Sequence, residues 1–462
     1  MTLAAAGIAT FLLSLGDTAP AVAMPTIGRS LNLGVSELEW VVNAYAVALA
    51  VFLLAGGVLG DRFGHRRIFL VGVGISIVAS LWAGAAQDGA ELIAARSLQG
   101  LGGALVTPAA LALVSSVTSE RRRGLAIGLW AGASAAGLAA GPLVGALLVE
   151  WAGWRWVFLI NAPLGALALV AGRMLVADPP RDTPPGPVDA TGMVLVGGGL
   201  FGLVFALTEG MAYGWRSPLI IGALVAAAGA AGVLVVRRRT RSGSAPLVAP
   251  ANRRGFLGVN AVTLLATSVM CSILFFASIF LQLAAGYSAI RTGLLFLPMT
   301  ILIFVLSPVA GYVSDKVGRR RTVVGGMIGL AGALALLSRV VLNGGPLGIA
   351  LGLATVGLAV PFVTTPSTAG GLDLVEPDAR GRAAGVLNTS RAIGLALGIA
   401  LMGAIVNTSW PRGLIMPGPA RELFASNLST AFLVNAGLAA ATAVLAAITL
   451  AARPLQARKP GR

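Results

Sequence analysis

Three ionisable side chains stand inside apolar runs of this 462-residue chain: Asp17, Arg96 and Arg391. A charge at mid-bilayer costs at least about 2.5–3.5 kcal/mol, so such a group faces a partner or a watery cavity. Asp17 lies about eight residues from the end of its run and Arg96 about five to eight from the end of its own. With a rise of about 1.5 Å per residue the two stand at matching depth and can meet across a bundle. Burial disfavours an ionised carboxylate and a nearby guanidinium favours it. A carboxylate balanced between those effects can take up a proton on one side and release it on the other. The competing use of Asp17 is to bind a cationic substrate. No other acid is expected deep within a run, and Glu209 falls at the end of one. Asn388 and Arg391, three apart and so on one helix face, are the strongest polar pair of the second half.

Other chemistries are excluded by inventory. One cysteine, Cys271, and one histidine, His65, make neither a disulfide nor a His/Cys metal site. No Ser/His/Asp constellation exists for an enzyme, and "GLGGAL" lacks the Lys-Ser/Thr of a phosphate loop. No cofactor is expected. A net charge of +16 suggests nucleic acid until the charges are placed, because they sit in short clusters between apolar runs. Aromatic and amide groups at membrane level suit an amphipathic ligand, by apolar contact and cation–π attraction. Asn43, Tyr45, Trp130, Phe276, Phe280 and Gln282, with Asn388 and Arg391, are the candidates for a substrate cavity. Phe275, Phe304 and Phe362 share the same character, and about a third of the whole set is expected to line it.

The elements that position these groups are membrane helices. Hydrophobic residues make up 57% of the chain and charged residues 11%, against roughly 25% in soluble proteins. Apolar runs of about 20 residues recur, long enough to cross a bilayer. Fourteen spans are predicted, at 3–24, 40–59, 68–86, 91–114, 124–148, 156–176, 190–208, 217–236, 258–283, 292–314, 322–341, 347–370, 384–406 and 428–451. The start has an Ala21-Val22-Ala23 string but no basic leader, and is read as a helix rather than a signal peptide. With the N-terminus inside, 24 of the 33 Lys and Arg fall on the cytoplasmic side and seven outside. That bias predicts a multi-pass cell-membrane protein with both termini cytoplasmic. The Arg, Ala and Gly usage suggests a bacterial source.

A polar hinge is written twice. "GVLGDRFGHRR" at 57–67 and "GYVSDKVGRRR" at 311–321 share G-x-x-x-D-[RK]-x-G-x-[RK]-R, and "RGLAIG" at 123–128 answers "RGRAAG" at 380–385. Two landmarks at nearly one offset predict a duplicated six-helix unit, of the kind that rocks about a central site. The expected parts are a first bundle at 1–176, two inserted helices within 177–254 and a second bundle at 255–462. Asp61 is expected where the helix after the hinge begins, meeting backbone N–H groups. Gly137, Gly141 and Gly145 repeat every four residues on one helix face beside Pro142, an arrangement for close helix contact.

Over its whole length the sequence resembles the major facilitator superfamily. The span count, "WVVNAYAVALA" at 40–50 and "WRWVFLINAPLG" at 154–165 are similar to its fourteen-helix drug:proton antiporter branch, and "FALTEG" at 205–210 and "LLFLPMT" at 294–300 to methylenomycin-type resistance exporters. The resemblance implies an all-α fold of two six-helix bundles plus two helices. Proton-coupled export of a small amphipathic drug or antibiotic is the implied activity, by a protein expected to be a monomer. An uptake symporter on the same fold is the alternative, and a membrane-embedded sensor or enzyme the rival of another class. The implied latch between halves comprises Gly57, Asp61, Arg62, Gly64, Arg66 and Arg67, with Gly311, Asp315, Arg319 and Arg320; topology and capping alone are the other account of these residues. "LIAARSLQGLGGA" at 92–104 implies that Arg96, Gln99 and Gly100 belong to the proton-coupling region. Gly137, Gly141, Pro142 and Gly145 match the antiporter motif of exporters. "LGDTAPAVAMP" at 15–25 departs from the family pattern: Gly16 holds the usual Asp position, Asp17 comes one residue late, and Ala21 replaces Asn.

Overall fold

Backbone in a bilayer must satisfy its own N–H and C=O groups, and a helix does so within one segment. The apolar runs close into helices accordingly in a computed structural model, which describes residues 2–116, 120–175, 190–240, 250, 252–343, 345–375, 380–406 and 418–450. The first half holds α1 (Thr2–Leu31), α2 (Val35–Phe63), α3 (His65–Ala85), α4 (Gly89–Ser116), α5 (Glu120–Trp151), the short α6 (Trp156–Leu159) and α7 (Asn161–Leu175). Two helices follow, α8 (Ala190–Tyr213) and α9 (Pro218–Thr240). The second half holds α10 (Arg253–Ile279), α11 (Ala289–Val317), α12 (Arg319–Asn343), α13 (Gly345–Asp373), α14 (Arg380–Val406) and α15 (Gly418–Thr449). Among the described residues thirteen segments are long and apolar enough to span, with α6 and α7 counted as one, and α8 adds the apolar stretch Val194–Gly210. Helices therefore stand at all fourteen expected positions, thirteen of them long and apolar enough to cross. The Pro-rich 177–189 lies outside the described residues.

Several helices run further than their apolar cores. The second begins at Val35, five residues ahead of the predicted span, because the Glu37 carboxylate accepts the Gly34 N–H at 2.7 Å and caps the end. That earlier start carries Glu39 into the helix. The prolines of α1, α4, α5, α11 and α13 lie inside continuous helices, tolerated where neighbouring helices meet the freed carbonyls.

Packing repeats with the sequence. The pairs α1–α5, α2–α4, α3–α4 and α3–α7 recur as α10–α14, α11–α13, α12–α13 and α12–α15. The halves meet through α2 against α14 and α5 against α11, contacts that exchange under the repeat. Here α8 packs on both α2 and α14, while α9 rests on α8 and leaves Leu219, Ile221, Val225 and Val233 exposed. Exposed apolar side chains on such a face meet lipid.

One apolar core runs through the second half and enters the first only at the end away from the hinges, through Leu15 to Ile27, Val35 to Ala50, Ala83 to Ala95, Ala146, and Trp154 to Phe158. At the hinge end the first half has a separate core, from Ala5, Phe69, Val106 and their neighbours, and the second half a small one around Phe256. The molecule is thus closed at the far end. Among the described residues no apolar cluster joins the halves at the hinge end.

Both hinges take one shape. Gly64 and Gly318 have φ of 98° and 96°, a region that penalises any side chain with a Cβ. Each ends one helix through its N–H, to Gly60 O and Ser314 O, and starts the next through its C=O. Asp61 lies in the last turn of α2, not at the start of the next helix, because the break falls three residues later at Gly64. Its side chain lies outside what the structure describes.

Candidate functional site

Glycines set the site by letting α4 close on α2. A Cβ at Gly100 would strike the Tyr45 carbonyl, so only glycine permits this approach. One turn along α4, Arg96 is then 1% exposed, and a guanidinium there needs acceptors. Its Nε donates to Val41 O at 3.0 Å, and Nη1 donates to Gln99 Oε1 at 2.9 Å and to Gly16 O at 3.4 Å. The Tyr45 ring lies under it, 4.5 Å from Cζ. Gln99 is held in turn by donating to Ser80 Oγ at 2.8 Å.

Asp17 and Arg96 do come together, but not as an ion pair. The guanidinium takes the carbonyl of Gly16, one residue short. Asp17 is half-buried with the Tyr45 hydroxyl beside its carboxylate, and it feels the Arg96 charge through space. Tyr45 is therefore the link, with its ring on the guanidinium and its hydroxyl at the acid. It was expected as a substrate contact. Across the interface Cys271 of α10 lies within electrostatic reach of Asp17. Asp17 thus stands near the contact of α1 with α10 of the other half.

The one-residue offset takes the acid out of the inner cavity of the first half, since one step on a helix turns a side chain by about 100°. Gly16 lines a cavity inside the first half with Tyr45, Ser76, Ser80, Arg96, Gln99 and Asn161, whereas Asp17 does not. That cavity holds about 40 Å³, room for two or three waters but not for a drug. Ser76 Oγ, Arg96 Nη2 and Asn161 Oδ1 are buried without a hydrogen-bond partner.

The glycine stripe of α5 grips α1 around the acid. Added Cβ atoms at Gly137, Gly141 and Gly145 would meet Phe11, Thr18 and Ala19. Thr18 donates to Leu138 O at 3.2 Å, and Ser14 and Ser134 hydroxyls pair at 2.7 Å. The Pro142 carbonyl lies against Gly293 of α11, so the same helix touches the other half.

In the second half Arg391 joins Asn388 Oδ1 at 3.2 Å and Thr368 Oγ1 at 2.6 Å, as a polar cluster of α13 and α14. Other cavity candidates fall elsewhere. Asn43 is fully buried and turned to Thr208 of α8, because α8 covers that face of α2. Trp130 packs in the hinge-end core of the first half. Phe276 is fully buried edge-on to Phe275, and Phe280 stacks on Phe424 of α15. Phe304 is half exposed on the outside of the bundle, and Phe362 lines an open groove with α11 and α12 residues. Gln282 sits in a π-helical turn, Phe280–Ala284, and donates to Val22 O of α1 at 2.8 Å, tying the halves at the far end.

At the hinges three described contacts each lie within one half. Arg66 donates to Arg173 O at 2.6 Å, Arg62 lies over Phe63, and Arg319 pairs with Asp373. Gly57 has room beside Pro108 and Gly311 beside Thr365. Arg67, Asp315 and Arg320 are exposed.

One expectation is overturned. Glu39 is a second deep acid, fully buried in α2. Placing the helix start at residue 40 hid it. The signal for the earlier start was Gly34 with glutamate three residues on at Glu37, the pair that caps the helix ahead of Trp40. Asp373 and Asn161 were also missed, and neither carries a local pattern that announces its partner.

The chain matches the family described as Major Facilitator Superfamily over residues 6–190 and 188–399. It is 33% identical to the tetracenomycin C resistance and export protein of Streptomyces glaucescens, over 100% of this chain and 84% of that one. It is 32% identical to a methylenomycin A resistance protein of Bacillus subtilis strain 168, over 90% of this chain and 91% of that one. In structure it is similar to a bacterial homolog of the human lysosomal transporter Spinster, solved inward-facing and unoccupied. The TM-score is 0.69 at 16% identity, over 97% of this chain and 96% of that one, a likeness of fold.

Proposed function

The chain belongs to the major facilitator superfamily, and on that premise we propose that it expels a small amphipathic drug or antibiotic in exchange for protons. Relatives named for tetracenomycin C export and for methylenomycin A resistance support the substrate class and the outward direction. The basic bias of the hinge-side loops supports cytoplasmic termini. With that orientation, the closed far end is the outer one and the substrate would enter from the cytoplasm.

The observation that carries the proton reading is the Asp17 carboxylate beside the Tyr45 hydroxyl and the Arg96 charge. A protonated Asp17 needs no counter-charge. An ionised one is stabilised by Tyr45 and by the guanidinium, and attracts a cationic or polarised drug. Drug and proton then compete for one group, which is the condition for exchange. Rocking of the bundles at 1–176 and 255–462 exposes that group to each side in turn. The α5 glycine stripe would keep α1 fixed through the motion. The hinge residues would latch the halves when the cytoplasmic end closes, and one chain holds both halves with the acid between them, so a monomer suffices.

The test is resistance and efflux in a susceptible host, with and without the proton gradient. Asp17→Asn is expected to insert normally and lose gradient-driven efflux. Efflux that ignores the gradient removes antiport, and efflux that ignores only the substitution moves the proton site elsewhere.

A further inference from the structure

Glu39 stands where three parts of the molecule meet. It projects from α2 of the first half. Gly403 of α14 in the second half faces it so closely that a Cβ there would overlap the carboxylate. Thr208 and Glu209 of the inserted α8 are its polar neighbours. Glu39 is 0% exposed, and neither of its oxygens accepts a hydrogen bond. One turn on, Asn43 is also 0% exposed, with Oδ1 unpartnered while its Nδ2 serves Thr208 at 3.5 Å.

The junction is therefore rich in acceptors and short of donors. Its two acids are treated unequally. Glu209 accepts from Ser36 Oγ at 2.6 Å and from Trp40 Nε1 at 3.0 Å. Glu39 has only the Thr208 hydroxyl beside it as a donor, with Glu209 as its other polar neighbour. The other nearby ionisable groups do not compensate it. Glu37 of α2 caps Gly34, and Arg96 of α4 is turned to Val41 O and Gly16 O. The ionisable residues of α14, Arg380, Arg382 and Arg391, lie toward the other end of that helix or in its middle. A carboxyl group buried there without an ion-pair partner is accommodated in its neutral form, which needs no counter-charge.

We propose that Glu39 binds a proton of its own, separate from Asp17, and that this proton holds the far end closed by allowing α2, α8 and α14 to pack around a neutral carboxyl group. When α14 swings away from α2, Glu39 meets water and releases the proton. When it is reloaded, the junction can close. This gives the inserted α8 a task, because it covers Glu39 and supplies Thr208 and Glu209 to the junction. The proposal rests on the transporter reading only for its link to flux; closure itself needs no drug.

The test is a distance measurement on purified full-length protein in lipid nanodiscs. Spin labels are placed at Ala152→Cys and Arg421→Cys, exposed positions of the two halves at the far end, in a Cys271→Ser background. Acidification should move the wild-type population toward the short distance, by up to about tenfold in the closed-to-open ratio per pH unit for one proton. Glu39→Gln should hold the short distance at every pH. Glu39→Asp should keep the response. Asp17→Asn should also keep it while losing drug exchange, so failure of the Asp17 reading is told apart from failure of this one. A Glu39→Gln protein that responds like wild type overturns the proposal, as does a wild-type shift that follows sodium rather than pH. Should the variants at 39 not fold, the Asp17→Asn protein decides by infrared spectroscopy. A protonated-carboxyl band that vanishes as the far end opens supports the proposal, and its absence from the closed state overturns it.

Discussion

Arg96 has more work than a positive charge requires. Its donors reach Val41 O, Gln99 Oε1 and Gly16 O on three sides, and its planar face covers the Tyr45 ring. A lysine ammonium is a point charge on a flexible stem and cannot hold that fork or stack flat. Arg96→Lys should therefore keep the charge and lose the geometry. Each lost charged hydrogen bond is worth about 1.5–3 kcal/mol, so drug–proton exchange should fall on the order of tenfold or more with normal membrane insertion. Exchange assays in proteoliposomes check this, and wild-type rates would mean that charge alone matters. At this scale the sequence revealed the acid and the guanidinium, because a charge in an apolar run is conspicuous. It did not reveal Tyr45 as their link. A tyrosine among apolar residues has many uses, and only packing of α2 on α4 selects one. Nor did it reveal Glu39, whose burial depends on a glycine 364 positions later in the chain.

Between elements, small residues decide how near two helices come. The α5 stripe was legible because i, i+4, i+8 spacing is local, yet its partner was not, since α1 is over a hundred residues away. The contact is side-chain to backbone, with Thr18 donating to Leu138 O where Gly141 leaves space. Gly141→Val should force α1 outward, cost about 1–3 kcal/mol by overpacking, and displace Asp17 from Tyr45. A lower melting temperature in detergent together with lost efflux is expected. Gly132→Ala, on the same helix with nothing near its added Cβ, should change neither. Equal effects at both positions would mean that the helix, not the contact, is what glycine serves. The hinges teach a related point. Pattern alone showed the repeat, but the break in each copy is at Gly64 and Gly318, where φ is positive, and a string of letters does not show which of two glycines turns the chain.

At the level of the molecule, the two halves are held together by contacts that trade places under the repeat, α2 with α14 and α5 with α11. The duplication was readable, whereas the conformation was not, because one sequence encodes both ends of a rocking cycle. In the state described, the core that joins the halves enters the first half only at the far end. If rocking is the transport motion, joining the halves there must stop it. Ala146 of α5 and Gly293 of α11 face each other, with an added Cβ at 293 falling 2.7 Å from that of Ala146, so a small adjustment brings two cysteines to disulfide spacing. An Ala146→Cys/Gly293→Cys pair in a Cys271→Ser background should cross-link on oxidation, abolish efflux and recover it on reduction. Drug binding from the hinge side should persist in the oxidised protein, since that end has no core to break. Transport that continues with the bridge formed would mean that the halves need not part at the far end, and the alternation itself would have to be replaced by a path that opens elsewhere.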